Sequence, residues 1–446
     1  AKLSVVLRSV KDEDDIWDCE ISANRAILEL KRDGGGPVHI NLETRYNRDY
    51  SINSLPQYKK ISRVGLDDNM PPIIASNVAV FVGAHRNFTR EETKALDEFC
   101  EKHNGAVFSD HTSGYKGKYR LQVSILAAQP HFNLKPFLPD LVIHIGEVSG
   151  DYYIPKFVKC EVWRVSEDGE VRDTFRKLKY IFEMSLLSFL SQYEDVSALS
   201  ENSYYEELQG ACAAIRNKIP DIPFSNIWTA KQLSSLIPIN STLHFAILNS
   251  LRAWNFFEVD SSITTASNVG GFGIDGGVSA FFGAALVDPD KLFYLVVGDL
   301  AFFYDINVLG NRHLSRNMRI LLINNGKGVE FKQHGHLAES FGDNADQFIS
   351  AAGHFGKQSP KLIKNYAENL GLEYYSASSK EEFVEKRSLF IEPEMIDKPM
   401  LFEIFTDSQN ESKALELMMN IGTNNNDKLL QSCKRVAKSV LGGRGS

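Results

Sequence analysis

At 446 residues the chain is too long for one hydrophobic core, and two or three domains of ordinary size are expected. With 43% hydrophobic and 24% charged residues and a formal charge of -8, it has a globular composition and lacks the basic footprint of a nucleic-acid binder. The longest apolar stretch, Gly276 to Val287, is short of the roughly 20 residues a membrane span needs, and no signal peptide is visible.

The opening residues read as a strand at Leu3 to Arg8, then a helix at about Asp14 to Lys31 whose acidic start, Asp12-Glu13-Asp14-Asp15, suits the helix dipole. A Gly34-Gly35-Gly36-Pro37 breaker and a strand at Val38 to Leu42 follow. One helix and two strands cannot close a core, so residues 1–50 are expected to be the tail of an α/β domain or a piece completed by another chain. A polar, extended stretch from Arg45 to Pro72 leads into a second unit, residues 51–195. Strand Val78 to Val82 precedes a helix opened by the capping box Thr89-Arg90-Glu91-Glu92, and apolar strands recur at Ala106 to Phe108, Leu141 to Ile145 and Glu161 to Val165. This alternation predicts a parallel, Rossmann-like domain. Its loop Gly146-Glu147-Val148-Ser149-Gly150 lacks the G-x-G-x-x-G fingerprint and reads as a plain strand-to-helix turn. A helical connector around Thr174 to Gln192 precedes the third unit, residues 196–446, with strands at Phe293 to Val297, Ile320 to Ile323, Leu372 to Tyr375 and Met400 to Thr406. This too is expected to be doubly wound α/β. The terminal Gly442-Gly443-Arg444-Gly445-Ser446 is given no function.

Cys19, Cys100, Cys160, Cys212 and Cys433 are far apart and form no C-x-x-C pair, so free thiols of a cytoplasmic protein are expected. The aromatic groups Tyr204-Tyr205 and Trp254-Asn255-Phe256-Phe257 read as core or subunit contacts.

The chemistry concentrates in the third unit. Strand Leu295 to Val297 ends in Gly298-Asp299-Leu300, and strand Ile320 to Ile323 ends in Asn324-Asn325-Gly326-Lys327-Gly328. Residues just past the carboxyl ends of parallel strands line the ligand crevice, so Asp299 and Asn325 are expected to face one site. A carboxylate, an amide oxygen and a nearby carbonyl are hard ligands suited to Mg²⁺ shared with phosphates. Gly298, Gly326 and Gly328 allow close approach of a diphosphate, and the glycine-rich Ser267-Asn268-Val269-Gly270-Gly271-Phe272-Gly273-Ile274-Asp275-Gly276-Gly277 opens a helix whose N–H groups suit the same anion.

Gly298-Asp299, with Asn325 26 residues on, resembles the motif shared by thiamine-diphosphate-dependent decarboxylases and acetolactate synthases. More closely, Asn249-Ser250-Leu251, Ser267 to Gly276, and Gly298-Asp299-Leu300 with Tyr304-Asp305-Ile306-Asn307 resemble the 2-succinyl-5-enolpyruvyl-6-hydroxy-3-cyclohexene-1-carboxylate (SEPHCHC) synthases of menaquinone biosynthesis. The resemblance is strong from about residue 240 to 331. It implies a thiamine-diphosphate-binding fold: a pyrimidine-binding domain, incomplete here, then a central Rossmann-like domain and a C-terminal diphosphate-binding domain. It also implies a Mg²⁺-dependent transferase or lyase acting on a 2-oxo acid and an acceptor, without nucleic-acid or membrane partners. Asp299, the Asn325 side chain and the Lys327 carbonyl would hold Mg²⁺. Asn268, Gly270 to Gly276, Gly298 and Leu300 would line the cofactor, with Ile274 as its prop. Ser250 would sit near the acceptor and Phe331 near the donor.

Two features depart from the family. Where it has carboxylate-clamping arginines this chain has Trp254 and Val269, and Arg252, two residues from Trp254, is expected to point elsewhere. An altered acceptor site is therefore expected, the alternatives being a true SEPHCHC synthase or a non-catalytic subunit. The family's activating glutamate lies in the pyrimidine-binding domain, ahead of these residues, so this chain alone is expected to be inactive and to need an upstream segment or another chain; a homodimer or dimer of dimers is implied. His334 and His336, in a polar stretch past the metal loop with His354 farther on, are candidate proton carriers; a zinc role for His-x-His lacks further ligands.

Overall fold

A computed structural model describes residues 1–422 apart from 45, 47, 49, 50, 52, 55, 56, 196–201, 270, 272, 355 and 358. Cys433 and the terminal Gly442 to Ser446 therefore lie outside the described residues, as do Gly270 and Phe272.

Parallel strands β1 (Leu3–Leu7) and β2 (Val38–Leu42) flank α1 (Glu13–Glu29). The Asp12 carboxylate caps α1 by accepting the Asp15 N–H at 3.0 Å. This small unit leans on the next: the Trp17 indole donates to Asp173 at 3.0 Å, and Arg32 pairs with Glu183 at 3.0 Å.

The second unit holds β3 (Ser62–Val64), β4 (Val78–Val82), α2 (Arg90–Lys102), β5 (Gly105–Phe108), β6 (Arg120–Leu121), α3 (Ser124–Ala127), β7 (Leu141–Ile145), β8 (Glu161–Val165), β9 (Leu178–Phe182) and α4 (Leu186–Ser191). Its seven strands run in the order β3-β9-β8-β7-β4-β5-β6, every pairing parallel. The Thr89–Glu92 capping box is present, each side chain accepting the other residue's N–H. Two expectations are corrected. The supposed helical connector contains strand β9, because Leu178, Ile181 and Phe182 find burial against the sheet and tertiary context overrides local pattern. The polar stretch before Pro72 contains β3, three residues held by pairing to β9.

The third unit comprises α5 (Ser203–Arg216), α6 (Asn226–Leu233), β10 (Thr242–Phe245), α7 (Asn249–Trp254), β11 (Thr264–Ser267), α8 (Gly277–Val287), β12 (Phe293–Gly298), α9 (Asp299–Asp305), β13 (Met318–Asn324), α10 (Leu362–Asn369), β14 (Glu373–Ala377), α11 (Lys380–Phe390), β15 (Met400–Phe405) and α12 (Ser408–Met419). The sheet order is β11-β10-β12-β13-β15-β14, again parallel throughout. From β10 the chain crosses outward to β11, and from β12 it crosses the opposite way to β13. The carboxyl ends of β10 and β12 thus diverge at a topological switch point, where such sheets leave a crevice. One apolar core joins the second and third units, running from Phe81, Phe108 and Phe157 through Leu208 to Phe245 and Trp254. Among the described residues, no helix is long and apolar enough to cross a membrane.

Arg319 on β13 is 1% exposed. Its guanidinium donates to the Tyr294 hydroxyl and the Phe390 carbonyl at 2.8 Å each, to the Glu392 carbonyl, and to the Glu394 carbonyl at 2.8 Å. Arg319→Met keeps most of the volume but leaves those acceptors buried without donors, and a loss of about 3 kcal/mol is expected in urea unfolding.

Candidate functional site

Asp299 opens α9 at the tip of β12 and is 2% exposed. One carboxylate oxygen accepts the Leu300 N–H at 2.8 Å, and the other accepts the Gly326 N–H at 2.6 Å. The second bond joins the β12 tip to the loop after β13, so the structure brings Asp299 and the Asn325–Gly328 turn together. The Asn325 amide oxygen has only a long contact, 3.4 Å, with the Lys327 N–H. The Lys327 ammonium is engaged by Asp346 at 2.8 Å. Gly326 has φ +84°, a left-handed conformation that glycine adopts without strain. Gly328 is pressed between Leu300 and Ala351, and a Cβ there would stand 2.8 Å from the Ala351 Cβ.

Across the crevice, Gly276, at φ +76°, precedes α8 without a side-chain cap, while the Asn268 amide donates to its carbonyl at 3.2 Å. Asp305, in the Tyr304-Asp305 pair at the end of α9, accepts the Ser279 N–H and hydroxyl at 2.5 Å each and so fastens α8 to α9. No atom lies within 4 Å of where a Cβ would sit at Gly271, Gly276 or Gly298. Ile274 is half-buried against two of the apolar clusters, and Asp275 is exposed.

Among the described residues no cluster of three His, Cys, Asp or Glu side chains is arranged to hold a metal. Any cation here would rely on one carboxylate with amide and carbonyl oxygens, a donor set for Mg²⁺ completed by ligand phosphates. The open backbone at Gly276 and Gly298 and the available Asn325 amide oxygen fit a diphosphate with such a cation.

Beside these loops lies a cavity of about 240 Å³. Arg252, His334 and His336 line it, together with Tyr152, Phe256 and Met419. Arg252 points away from the Trp254 side chain and enters the cavity, paired with Glu330 at 2.6 Å and stacked 3.2 Å from the Tyr152 ring centroid. Trp254 is fully buried against Phe245, Ser250 is buried in α7, and Val269 is buried beneath Gly150. Phe331 is 37% exposed and packs edge-on against His336. His354 Nε2 lies 3.4 Å from the Asp299 carboxylate.

Sequence reasoning missed Glu411 on α12, which also lines the cavity. It is 3% exposed and accepts the Asn226 N–H at 3.0 Å and the Thr406 hydroxyl at 2.7 Å. Burial pushes its carboxyl up to about 7, against those hydrogen bonds, and the Asp407 and Asp299 charges add to the rise. No sequence signal marked it, because a glutamate in the first turn of a helix is ordinary. The Gly146–Gly150 loop leads from β7 toward a short 3₁₀ helix at Ile154–Phe157; the Gly146 backbone is left-handed, the Glu147 carbonyl closes over Gly83, and Gly150 abuts Leu251 and Val269.

Parallel α/β sheets with these loops at a switch point fit a thiamine-diphosphate-type fold. No family profile matches the chain. It is, however, 28% identical over 436 residues to the 2-succinyl-5-enolpyruvyl-6-hydroxy-3-cyclohexene-1-carboxylate synthase of Bacteroides fragilis, covering 93% of this chain and 76% of that protein. The Bacteroides thetaiotaomicron synthase of the same name is 29% identical over 435 residues, with 93% and 76% covered. That of Phocaeicola vulgatus is 29% identical over 436 residues, with 93% and 75% covered. The chain is thus a relative of the SEPHCHC synthases, a thiamine-diphosphate-dependent family, over nearly its whole length.

Proposed function

We propose that the chain is a thiamine-diphosphate- and Mg²⁺-dependent 2-oxo-acid decarboxylase or carboligase of the menaquinone-pathway type, with an acceptor site altered from that of its relatives. The observation that carries this reading is the Asp299 carboxylate, buried at the switch point and joined to the Asn325–Gly328 turn. Asp299, the Asn325 amide oxygen and the Lys327 carbonyl would hold Mg²⁺, and Asn268, Gly271 to Gly276, Gly298 and Leu300 would line the cofactor, propped by Ile274. When bound, thiamine diphosphate supplies an electron sink for loss of CO₂ from a 2-oxo acid.

The positive end of the α8 dipole favours an anion, with the Ser279 N–H already taken by Asp305, while Tyr152, Phe256, Leu415 and Met419 give the cavity apolar surface. His336 Nδ1 accepts the Ala338 N–H at 3.0 Å, so the neutral ring carries its proton on Nε2, able to donate. Glu411 is a second proton-holding group on the same lining.

The altered acceptor site is supported by apolar Trp254 and Val269, both buried, at the positions of the family's arginines. The second reading, a true SEPHCHC synthase, is favoured by the similarity over 93% of the chain and by Arg252 in the cavity. Product analysis separates them once the pyrimidine-binding segment is supplied upstream or by another chain: with 2-oxoglutarate, cofactor and Mg²⁺, the altered-site reading expects other 2-oxo-acid products but no SEPHCHC from isochorismate, and SEPHCHC formation at the rate of a relative would establish the second. The free thiols of Cys19, Cys100, Cys160 and Cys212 suit a reducing, cytoplasmic compartment. A homo-oligomer, with residues 1–50, 51–195 and 196–446 as pyrimidine-side, central and diphosphate-side units, is supported by Ile40 and Leu42 on β2, 40% and 62% exposed. Sedimentation as a monomer would rule out the oligomer.

A further inference from the structure

Arg252 is the one Lys or Arg side chain on the described lining of the cavity, and it is not free. Glu330 holds it at 2.6 Å, with side chains 10% and 20% exposed, and the Tyr152 ring covers its face. The pair brings no net charge to the cavity, and the other acid present, Glu411, adds no positive charge. A dicarboxylate entering this space would have to displace Glu330 from Arg252 or remain unpaired in a largely apolar site, which is costly.

What the lining offers instead is neutral hydrogen bonding. Asn226, Asn249 and Gln333 contribute carboxamides, and His334 and His336 imidazoles. Arg252 Nη2 and Glu330 Oε2 are buried without hydrogen-bond partners. The Tyr152 and Phe256 rings give an apolar surface for a ring face. At about 240 Å³ the space suits one small ring.

We propose that Glu330 determines acceptor specificity by neutralising Arg252, so that the cavity takes an uncharged, hydroxylated ring in place of a dicarboxylate. This deepens the altered-acceptor reading and rests on it only in calling the ligand an acceptor.

The test uses two six-membered rings that differ in charge, myo-inositol and cyclohexane-1,3-dicarboxylate. Each is titrated without cofactor into the full chain and into Glu330→Gln and Arg252→Gln, with binding followed by saturation-transfer NMR and folding by thermal melts. The full chain is expected to bind inositol at least tenfold more tightly than the dicarboxylate. Glu330→Gln, nearly isosteric, frees Arg252 and is expected to gain at least tenfold for the dicarboxylate, a gain absent from Arg252→Gln. The proposal is overturned if the unaltered chain prefers the dicarboxylate, binds neither ring, or keeps the same preference when Glu330 is changed. Thiamine-diphosphate binding is measured separately, so either idea can fail without the other.

Discussion

Asp299→Ala is expected to abolish Mg²⁺-dependent binding of thiamine diphosphate, by about a thousandfold or more. Substitutions that merely orient a metal ligand typically cost about 10- to 100-fold, and this one removes the ligand itself. It also releases the Gly326 N–H, which loosens the turn carrying Asn325 and Lys327. Asp299→Asn largely separates the two effects, because its single amide oxygen can still accept the Gly326 N–H, giving up only the adjacent Leu300 N–H, and brings no charge to the cation. Calorimetric titration with and without Mg²⁺ should therefore show the Asn variant folded, with its melting temperature close to that of the unaltered chain, and still unable to bind. Unchanged affinity in either variant would remove Asp299 from the metal site and with it the main support for the cofactor reading.

The second large effect is acid destabilisation. Burial lowers His111 and His144 to about 3 and His244 to about 4, from 6.5. Lys116 and Arg120 beside His111, and Arg164 and Arg172 beside His144, lower them further, while the Trp254 and Phe257 carbonyls on His111 oppose the shift. Below pH 6.5 the unfolded chain takes up protons that these rings do not, so stability falls with pH through the window from 6.5 toward 3 to 4. At pH 5 each histidine costs up to about 2 kcal/mol relative to pH 7.5, or about 6 together. Glu411 acts oppositely, because its raised carboxyl keeps a proton that the unfolded chain has released. Its contribution grows as pH falls from about 7 toward 4.5, and it offsets about 2 kcal/mol by pH 5. Urea unfolding should show the chain weaker at pH 5 than at pH 7.5, and Glu411→Gln should widen the gap. Equal stability at both pH values would mean that these histidines titrate normally.

Much of the architecture was legible because parallel strands buried on both faces leave continuous apolar runs. Val78 to Val82, Leu141 to Ile145 and Phe293 to Gly298 stand out for that reason. Ser62–Val64, Arg120–Leu121 and Thr264–Ser267 were not legible, since strands of two to four residues owe their form to their neighbours. Leu178–Phe182 carries an apolar pattern, but only pairing with β3 and β8 makes it a strand.

By itself the sequence determined the alternation of strands and helices and the Gly298-Asp299 and Asn325 loops, because each is local chemistry written in adjacent residues. Only the tertiary structure decided where Arg252 points, that Glu330 neutralises it, and that Glu411 joins them from some 160 residues downstream. A side chain's partner and its burial depend on which distant segments pack around it, and no local pattern records that.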